Sequence, residues 1–442
     1  YSSAASDVYK RQTWIVVDNI ENVIRVKTWI VSGYMENISK IKTEIYRELV
    51  EKMIDGGECS DEELYELIEE RVFEKSHSTY ISQNDKEILV RGIFNSIRGM
   101  DVLQELVDNP DITEIMVNGC DNIFIEKNGR ISRYPEKFVD VNKLEDVIQQ
   151  IVSKVNRVVN ETSPIVDFRL VDGSRVNVVL PPVSLSGPVV TIRKFPESPM
   201  TMEKLIEIGS LTKDAASFLE KLVKAGYNIF ISGGTGSGKT TFLNALSDYI
   251  PKDERIITIE DAAELQIRNI QNLVRLEVRN ANIEGKNEVT IRDLLKSSLR
   301  MRPDRIILGE IRDAAACELL NIMNTGHDGS LCTGHANSSK DMLSRMETLV
   351  LSGIDIPVMA IRNQIASALD IIIHLGRIRD KTRKVLEIAE IVGMEGDRIK
   401  LQTLFEFVEE GEDKDGRVKG SLCRREKGLI HTEKLQRAGI EL

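Results

Sequence analysis

Paired cysteine is missing from this sequence. Cys59, Cys120, Cys317, Cys332 and Cys423 are odd in number, far apart and never spaced C-x-x-C. That excludes a fully paired disulfide framework and the ligand spacing of a zinc ribbon or finger, and it suits a reducing compartment. Long apolar runs are missing as well. The stretch Ile365-Ala366-Ser367-Ala368-Leu369-Asp370-Ile371-Ile372-Ile373 is short and holds a charge, where roughly 18 uncharged apolar residues are needed to cross a bilayer. Positive charge is in deficit, with 59 Lys and Arg against 70 Asp and Glu and a net charge of -11. A chain-wide nucleic-acid surface is therefore not expected, and nucleic acid is not the expected partner. No fixed-period repeat runs through the chain. The expected location is cytoplasmic.

At 442 residues the chain exceeds the size at which one core stops growing, so two or three domains are expected. An initiator Met is absent, and Asp7-Val8-Tyr9-Lys10-Arg11-Gln12 back-translates to a transposon sequencing adapter. Residues 1–34 are accordingly expected to be a non-native lead, with Met35 as the natural start. Residues 35–110 are helical and acidic in pattern. Ser60-Asp61-Glu62-Glu63 forms a capping box ahead of Leu64, Leu67, Ile68 and Val72 at helical spacing, which predicts a three- or four-helix bundle, with a solvated charged arm as the alternative.

Over residues 111–195 the period changes to two. Glu114–Val117, Ile123–Glu126 and Arg130-Ile131 are separated by Asn118-Gly119 and Asn128-Gly129, strong hairpin signals. A helix over Val141–Val159 follows, then strand-like runs at Val166–Leu170, Arg175–Val179 and Val189–Arg193. This predicts an α+β domain with an antiparallel sheet. Pro196 and Pro199 mark residues 196–200 as a linker. Strands and helices alternate over residues 201–408, which predicts an α/β domain on a largely parallel sheet. Residues 409–442, rich in Gly, Lys, Arg and Glu, read as a tail.

Within the α/β region stands Gly233-Gly234-Thr235-Gly236-Ser237-Gly238-Lys239-Thr240, a complete G-x-x-x-x-G-K-T phosphate-binding loop. It follows the strand-like Tyr227–Ile231 and precedes the helix-forming Thr241–Leu246, the setting this motif requires. The glycines let consecutive backbone N–H groups turn around a phosphate, and the helix N-terminus adds its dipole. Lys239 reaches the outer phosphates, Thr240 can ligate Mg²⁺, and Thr241 stands beside it. A nucleoside-triphosphate site follows.

Open α/β sheets bind ligands at the carboxyl ends of their strands. Three more polar clusters follow strand-like runs: Glu260-Asp261-Ala262-Ala263-Glu264, Gly309-Glu310 and Gly334-His335-Ala336-Asn337. Sheet geometry would bring them to the edge that carries Lys239. Phosphoryl transfer to water needs a metal, a group that orients and deprotonates the water, and positive charge on the transition state. The two carboxylate clusters can meet the first two needs, and Lys239 part of the third.

In these residues the sequence resembles the hexameric secretion ATPases of type II and type IV systems, and most resembles the branch that powers tight-adherence (Flp-type, CpaF-like) pili. The resemblance runs through the acidic box Ile259–Leu265, the Walker B strand Arg305–Glu310 and the histidine box Thr325–Asn337, and upstream through Val117-Asn118-Gly119, Asp172–Asn177 and Thr191–Phe195. It implies a RecA-like P-loop ATPase domain, ATP and Mg²⁺ as ligands, Glu264 as general base and His335 as γ-phosphate sensor. Glu310 would orient Mg²⁺ through water, with Thr240 and Glu260 near the metal. Arg175 and Arg193 would supply charge to the phosphates, with Arg169 a lesser candidate. Arg300, Arg302 and Arg312 flank the Walker B strand and are read as either catalytic charge or subunit-interface pairs. His327 is read as a structural hydrogen-bonding group. A ring of six, an inner-membrane platform protein as partner and a place at the inner face of the cell membrane are further implications.

Two positions depart from the family pattern. Gly334 stands where an aliphatic residue is usual and Cys332 where Thr is common, and glycine is expected to loosen the backbone that aims His335. Conjugation or effector translocation is the alternative cargo for the same motifs. A GTPase-type switch would need an Asn-Lys-x-Asp reader after the loop; the nearest match, Asn142-Lys143-Leu144-Glu145, precedes it and ends in Glu.

Overall fold

The structure is a computed structural model that describes residues 34, 37–38, 40–53, 59–127, 129–155, 157–195, 200–279, 287–414 and 416–442. Met35 and the 196–199 segment of the expected linker lie outside the described residues. The chain divides into two compact units between Glu197 and Ser198.

In the first unit, helices over residues 40–53, Asp61–Ser78 and Gln83–Ile97 close on a small core of Ile45, Leu49, Leu64, Ile68, Val72, Leu89 and Ile93. The capping box forms: the Ser60 hydroxyl accepts from the Glu63 N–H at 3.2 Å and the Glu63 carboxylate accepts from the Ser60 N–H at 2.9 Å. Both orphan amides at that helix end are thereby satisfied. Of the expected apolar stripe, Leu67 instead stays 37% exposed.

A fourth helix, Val102–Asp108, contributes Val102, Leu103 and Leu106 to the core of the sheet. That sheet holds β1 (Ile112–Asn118), β2 (Ile123–Lys127), β3 (Arg130–Arg133), β4 (Ile165–Arg169), β5 (Arg175–Val179) and β6 (Val189–Arg193). Its order is β3-β2-β1-β6-β5-β4, antiparallel throughout. The helix expected over Val141–Val159 ends at Lys154, where Val158-Val159-Asn160 favours extended chain. Asp140 caps its start by accepting from the Lys143 N–H at 2.8 Å.

The second unit is built on β7 (Ile229–Gly233), β8 (Arg255–Glu260), β9 (Asn272–Glu277), β10 (Arg305–Leu308), β11 (Leu331–Gly334), β12 (Ile371–Arg377), β13 (Arg383–Glu395), β14 (Arg398–Glu412) and β15 (Val418–Arg424). Their order is β15-β14-β13-β12-β7-β11-β10-β8-β9. From β12 to β9 all pairs are parallel, and β12 to β15 are antiparallel. The order β12-β7-β11-β10-β8 is that of a RecA-like core, with one strand between the phosphate-loop strand and the Walker B strand. Every residue of β7, β10 and β11 is buried, as strands covered by helices on both faces must be.

The expected end of this domain at residue 408 is corrected by β14, which runs through Val408 to Glu412. The presumed tail adds β15 and a helix, Glu433–Ala438, with Leu422 and Leu435 in the core. Buried Glu390 holds this segment by accepting from the Ile430 and His431 N–H groups at 2.8 and 2.7 Å. Its Lys, Arg and Glu residues lie largely on the exposed sides of strands, so a charged composition concealed a folded annex.

Candidate nucleotide and metal site

The phosphate loop joins β7 to the helix Lys239–Ser247. At Gly233 an added Cβ would overlap the Leu375 carbonyl and lie 2.6 Å from Ser237 Oγ, so only glycine fits. Gly238, with φ 93°, occupies the N-cap in the left-handed region. Lys239 is 8% exposed. Its ammonium donates to the Gly233 and Gly234 carbonyls at 3.1 and 3.0 Å and to His335 Nδ1 at 3.2 Å. Burial pulls its pKa below the ordinary lysine value. Thr240 is half-buried and Thr241 exposed in the first helical turn; Thr235 and Gly236 are exposed at the loop tip.

Three polar clusters do converge at the carboxyl edge of the sheet. Because Lys239 can only donate, His335 Nδ1 accepts, and the proton of the neutral ring sits on Nε2. That nitrogen lies 2.8 Å from Glu310 Oε1, a close approach without hydrogen-bond geometry that leaves this buried oxygen without a hydrogen-bond partner. Burial, followed by the Lys239 charge, pulls the His335 pKa below the ordinary histidine value, in keeping with a neutral ring. Glu310 Oε2 accepts from Arg312 at 2.7 Å, and the same guanidinium lies 3.3 Å from Asp261. Burial pushes the Glu310 carboxyl up, but Arg312, His335 and Lys239 outweigh it and hold it below the usual carboxylate value. The Gly309–Ile311 backbone is stitched to β11: Ile311 N–H donates to the Thr333 carbonyl at 2.9 Å, and the Thr333 hydroxyl donates to the Gly309 carbonyl at 2.6 Å.

Glu260 is 2% exposed. Its Oε1 accepts from the N–H groups of Glu264 and Leu265 at 2.7 and 2.8 Å, which fixes the loop carrying Glu264. Burial pushes its carboxyl up to about 7 against those two donors. Only Oε2, buried without a hydrogen-bond partner, is left for any role near a metal. The Ser237 hydroxyl is likewise buried and unsatisfied. The orphaned Ser237 hydroxyl beneath a loop of glycines, with a buried ammonium at its base, fits a phosphate group. Among the described residues no group of three or more His, Cys, Asp or Glu could hold a metal ion alone. Magnesium usually binds through one or two protein ligands plus substrate phosphates, and Thr240 and Glu310 fit that arrangement.

Arg312 enters the site. Arg300 and Arg302 instead precede β10, at the end of that strand remote from Glu310. His327 Nδ1 lies 3.3 Å from the Ile322 carbonyl, a structural contact. At Gly334 an added Cβ would lie 2.7 Å from the Phe230 ring, so this glycine makes room for an aromatic side chain. Arg383 was not foreseen: from β13 its Nε donates to the Gly236 carbonyl at 2.9 Å and steadies the loop tip. Nothing local in the sequence marks it, because β13 reaches the loop only through sheet pairing.

In the first unit, Arg169, Arg175 and Arg193 occupy one cross-strand row over β4, β5 and β6, continued on β1 by Glu114. Arg175 lies 3.9 Å from Asp167. The three arginine candidates thus share one face of one sheet.

Residues 97–425 match the family described as Type II/IV secretion system protein. A putative conjugal transfer protein of Mycobacterium tuberculosis is 34% identical over 330 residues, covering 73% of this chain and 93% of the relative. The conjugal transfer protein TrbB of Rhizobium radiobacter is 34% identical over 309 residues, covering 69% and 91%. The crystal structure of the VirB11 ATPase from the Brucella suis type IV secretion system, in complex with sulphate, is 30% identical, with a TM-score of 0.37 and coverage of 65% of this chain and 95% of that one. The chain belongs to the type II/IV secretion system protein family.

Proposed function

We propose that this chain is a Mg²⁺-dependent ATPase that works as a ring of six at the inner face of the cell membrane and drives assembly of a tight-adherence pilus through a membrane platform protein. The observation that carries the hydrolytic part is the continuous contact from Lys239 through His335 to Glu310, at 3.2 and 2.8 Å. A neutral ring between the phosphate-loop cation and the Walker B carboxylate is placed to register whether a terminal phosphate is present. When bound, Mg²⁺ would supply charge neutralisation at the phosphates. Thr240 and Glu310 are the residues to hold it, Glu310 through water.

Glu264 takes the proton of the attacking water, from a loop braced by the Glu260 carboxylate. Lys239 binds the outer phosphates, and the loop amides orient them. By the family resemblance, Arg175 and Arg193 are the candidates for further positive charge at the phosphates. Among the described residues no helix is long and apolar enough to cross a membrane, and attachment through a platform protein meets that condition.

Phosphate release from ATP and Mg²⁺, measured over a range of protein concentrations, tests this reading. A rate per subunit that rises with concentration and disappears in E264Q supports it. Full hydrolysis in E264Q overturns the mechanism.

A second reading, a conjugation or effector-translocation ATPase, shares the chemistry and changes the cargo. It is favoured by the names of the two 34% identical relatives, both conjugal transfer proteins. Deleting the gene separates the two: loss of surface pili supports the first, and loss of DNA or effector transfer with pili intact supports the second.

A further inference from the structure

The phosphate loop borders an open cavity of about 770 Å³ that the chemistry above leaves unassigned. The loop contributes Gly234 and Thr235 to its lining, and the end of β11 contributes His335. The helix Ser339–Leu351, which follows the His335 segment, contributes Asp341, Ser344, Arg345 and Thr348. Those four positions are three and four residues apart and so share one helix face. The other face carries Met342, Met346 and Val350 into the core, which fixes the rotation of the helix about its axis. Its start is fixed too, because the Ser338 hydroxyl accepts from the Asp341 N–H at 3.0 Å.

Among the described lining residues Arg345 is the one permanent cation and Asp341 the one carboxylate. Four residues apart on a helix the two could pair, yet among the described residues no ion pair or hydrogen bond engages the Arg345 guanidinium. The other guanidiniums at the site are engaged: Arg312 by Glu310 and Asp261, and Arg383 by the Gly236 carbonyl. A solvated arginine on a helix face is ordinary; what sets this one apart is where its cavity ends. The Lys239 ammonium, which reaches the outer phosphates, touches both the Gly234 carbonyl and His335, the two residues at which the cavity meets the site. A terminal phosphate seated on Lys239 therefore lies at the border of the cavity that Arg345 lines. Burial and the Lys239 charge lower the His335 pKa most, and the Arg312 and Arg345 charges lower it further against Glu310, so Arg345 is within electrostatic reach of that border.

We propose that Arg345 binds the terminal phosphate of the nucleotide from this cavity, its guanidinium fork meeting two phosphate oxygens, so that triphosphate is told from diphosphate within the unit that carries the phosphate loop. The planar fork of arginine matches a pair of phosphate oxygens in a way that a lysine cannot. The inference rests on the ATPase reading above and deepens it by adding a phosphate ligand that no motif of the sequence marks.

Equilibrium binding of ADP and of a non-hydrolysable ATP analogue, each with Mg²⁺, to the full chain as wild type, R345Q and R345K tests it. ADP lacks the group that Arg345 holds, so R345Q should bind ADP with wild-type affinity and the analogue about tenfold more weakly. R345K keeps the charge and loses the fork, and should weaken binding of the analogue by about threefold. Thermal melting shows whether each variant folds; should R345Q fail to fold, R345K carries the test. A wild-type ratio of the two affinities in the folded variants, or an equal loss for both nucleotides, overturns the inference while leaving the ATPase reading intact. A wild-type ratio together with a changed dependence of hydrolysis on protein concentration also overturns it, and gives the cavity to a neighbouring subunit instead. Failure of the wild type to bind either nucleotide overturns the ATPase reading, and this inference with it.

Discussion

Arg175 and Arg193 stand directly opposite each other on β5 and β6. Like charges in that position destabilise a sheet, but Asp167 lies 3.9 Å from Arg175 and Glu114 stands opposite Arg193 on β1, its charge acting on that guanidinium. R193Q removes the attraction to Glu114 together with the repulsion from Arg175, so stability is expected to change by no more than about 0.5 kcal/mol, while on the proposed role ATP hydrolysis falls by roughly a hundredfold or more. Thermal melts and steady-state hydrolysis, measured on the same preparation, separate the two effects.

Removing the proposed base, Glu264, without moving the loop should separate chemistry from binding. E264Q is expected to lower kcat by about 10²- to 10⁴-fold, with nucleotide affinity nearly unchanged, because the Glu264 N–H remains held by Glu260. Single-turnover hydrolysis together with equilibrium binding of a fluorescent ATP analogue distinguishes the two effects.

Glu260 gives the fold a pH dependence of its own. Its carboxyl is raised to about 7 from an ordinary value of 4.5. The folded state thus favours the protonated form, and the stability this contributes is complete below about 4.5 and lost as pH rises through 7. Unfolding free energy should fall by on the order of 3 kcal/mol across that window, and E260Q, which keeps the acceptor for the Glu264 and Leu265 amides, should flatten the profile. Urea unfolding at a series of pH values reads this directly.

Arg383 should matter for affinity rather than for turnover. R383A frees the Gly236 carbonyl and loosens the loop tip, and about five- to tenfold weaker nucleotide binding is expected at nearly unchanged kcat. Calorimetric titration of ADP into the wild type and the variant checks it.

The chemistry-bearing loops were legible because each follows a strand whose pattern is local. Gly233–Thr240, Glu260–Glu264, Glu310 and His335 could be aligned on one edge from the alternation of elements alone. Arg312 was visible only as one of three candidates, since its choice depends on which end of β10 it occupies. Arg383 was beyond reach: it meets the loop through pairing between strands far apart in sequence. The resemblance implies a place near the metal for Glu260, and only burial reveals that one of its oxygens holds backbone. The Phe230 ring beside Gly334 gives that glycine a packing reason that no local pattern in the sequence carries.

The insertion of β11 between β7 and β10 has a metric consequence. Adjacent strands lie about 4.8 Å apart, so the phosphate loop and the Walker B carboxylate are held about two such spacings from each other, and no backbone hydrogen bond can join β7 to β10. The intervening gap is one imidazole wide, and His335, rising from the end of the middle strand, fills it. The sheet acts as a gauge: it sets the separation at which a neutral ring touches both a cation and a carboxylate, and a shorter side chain at that position would leave the two halves of the site out of each other's reach.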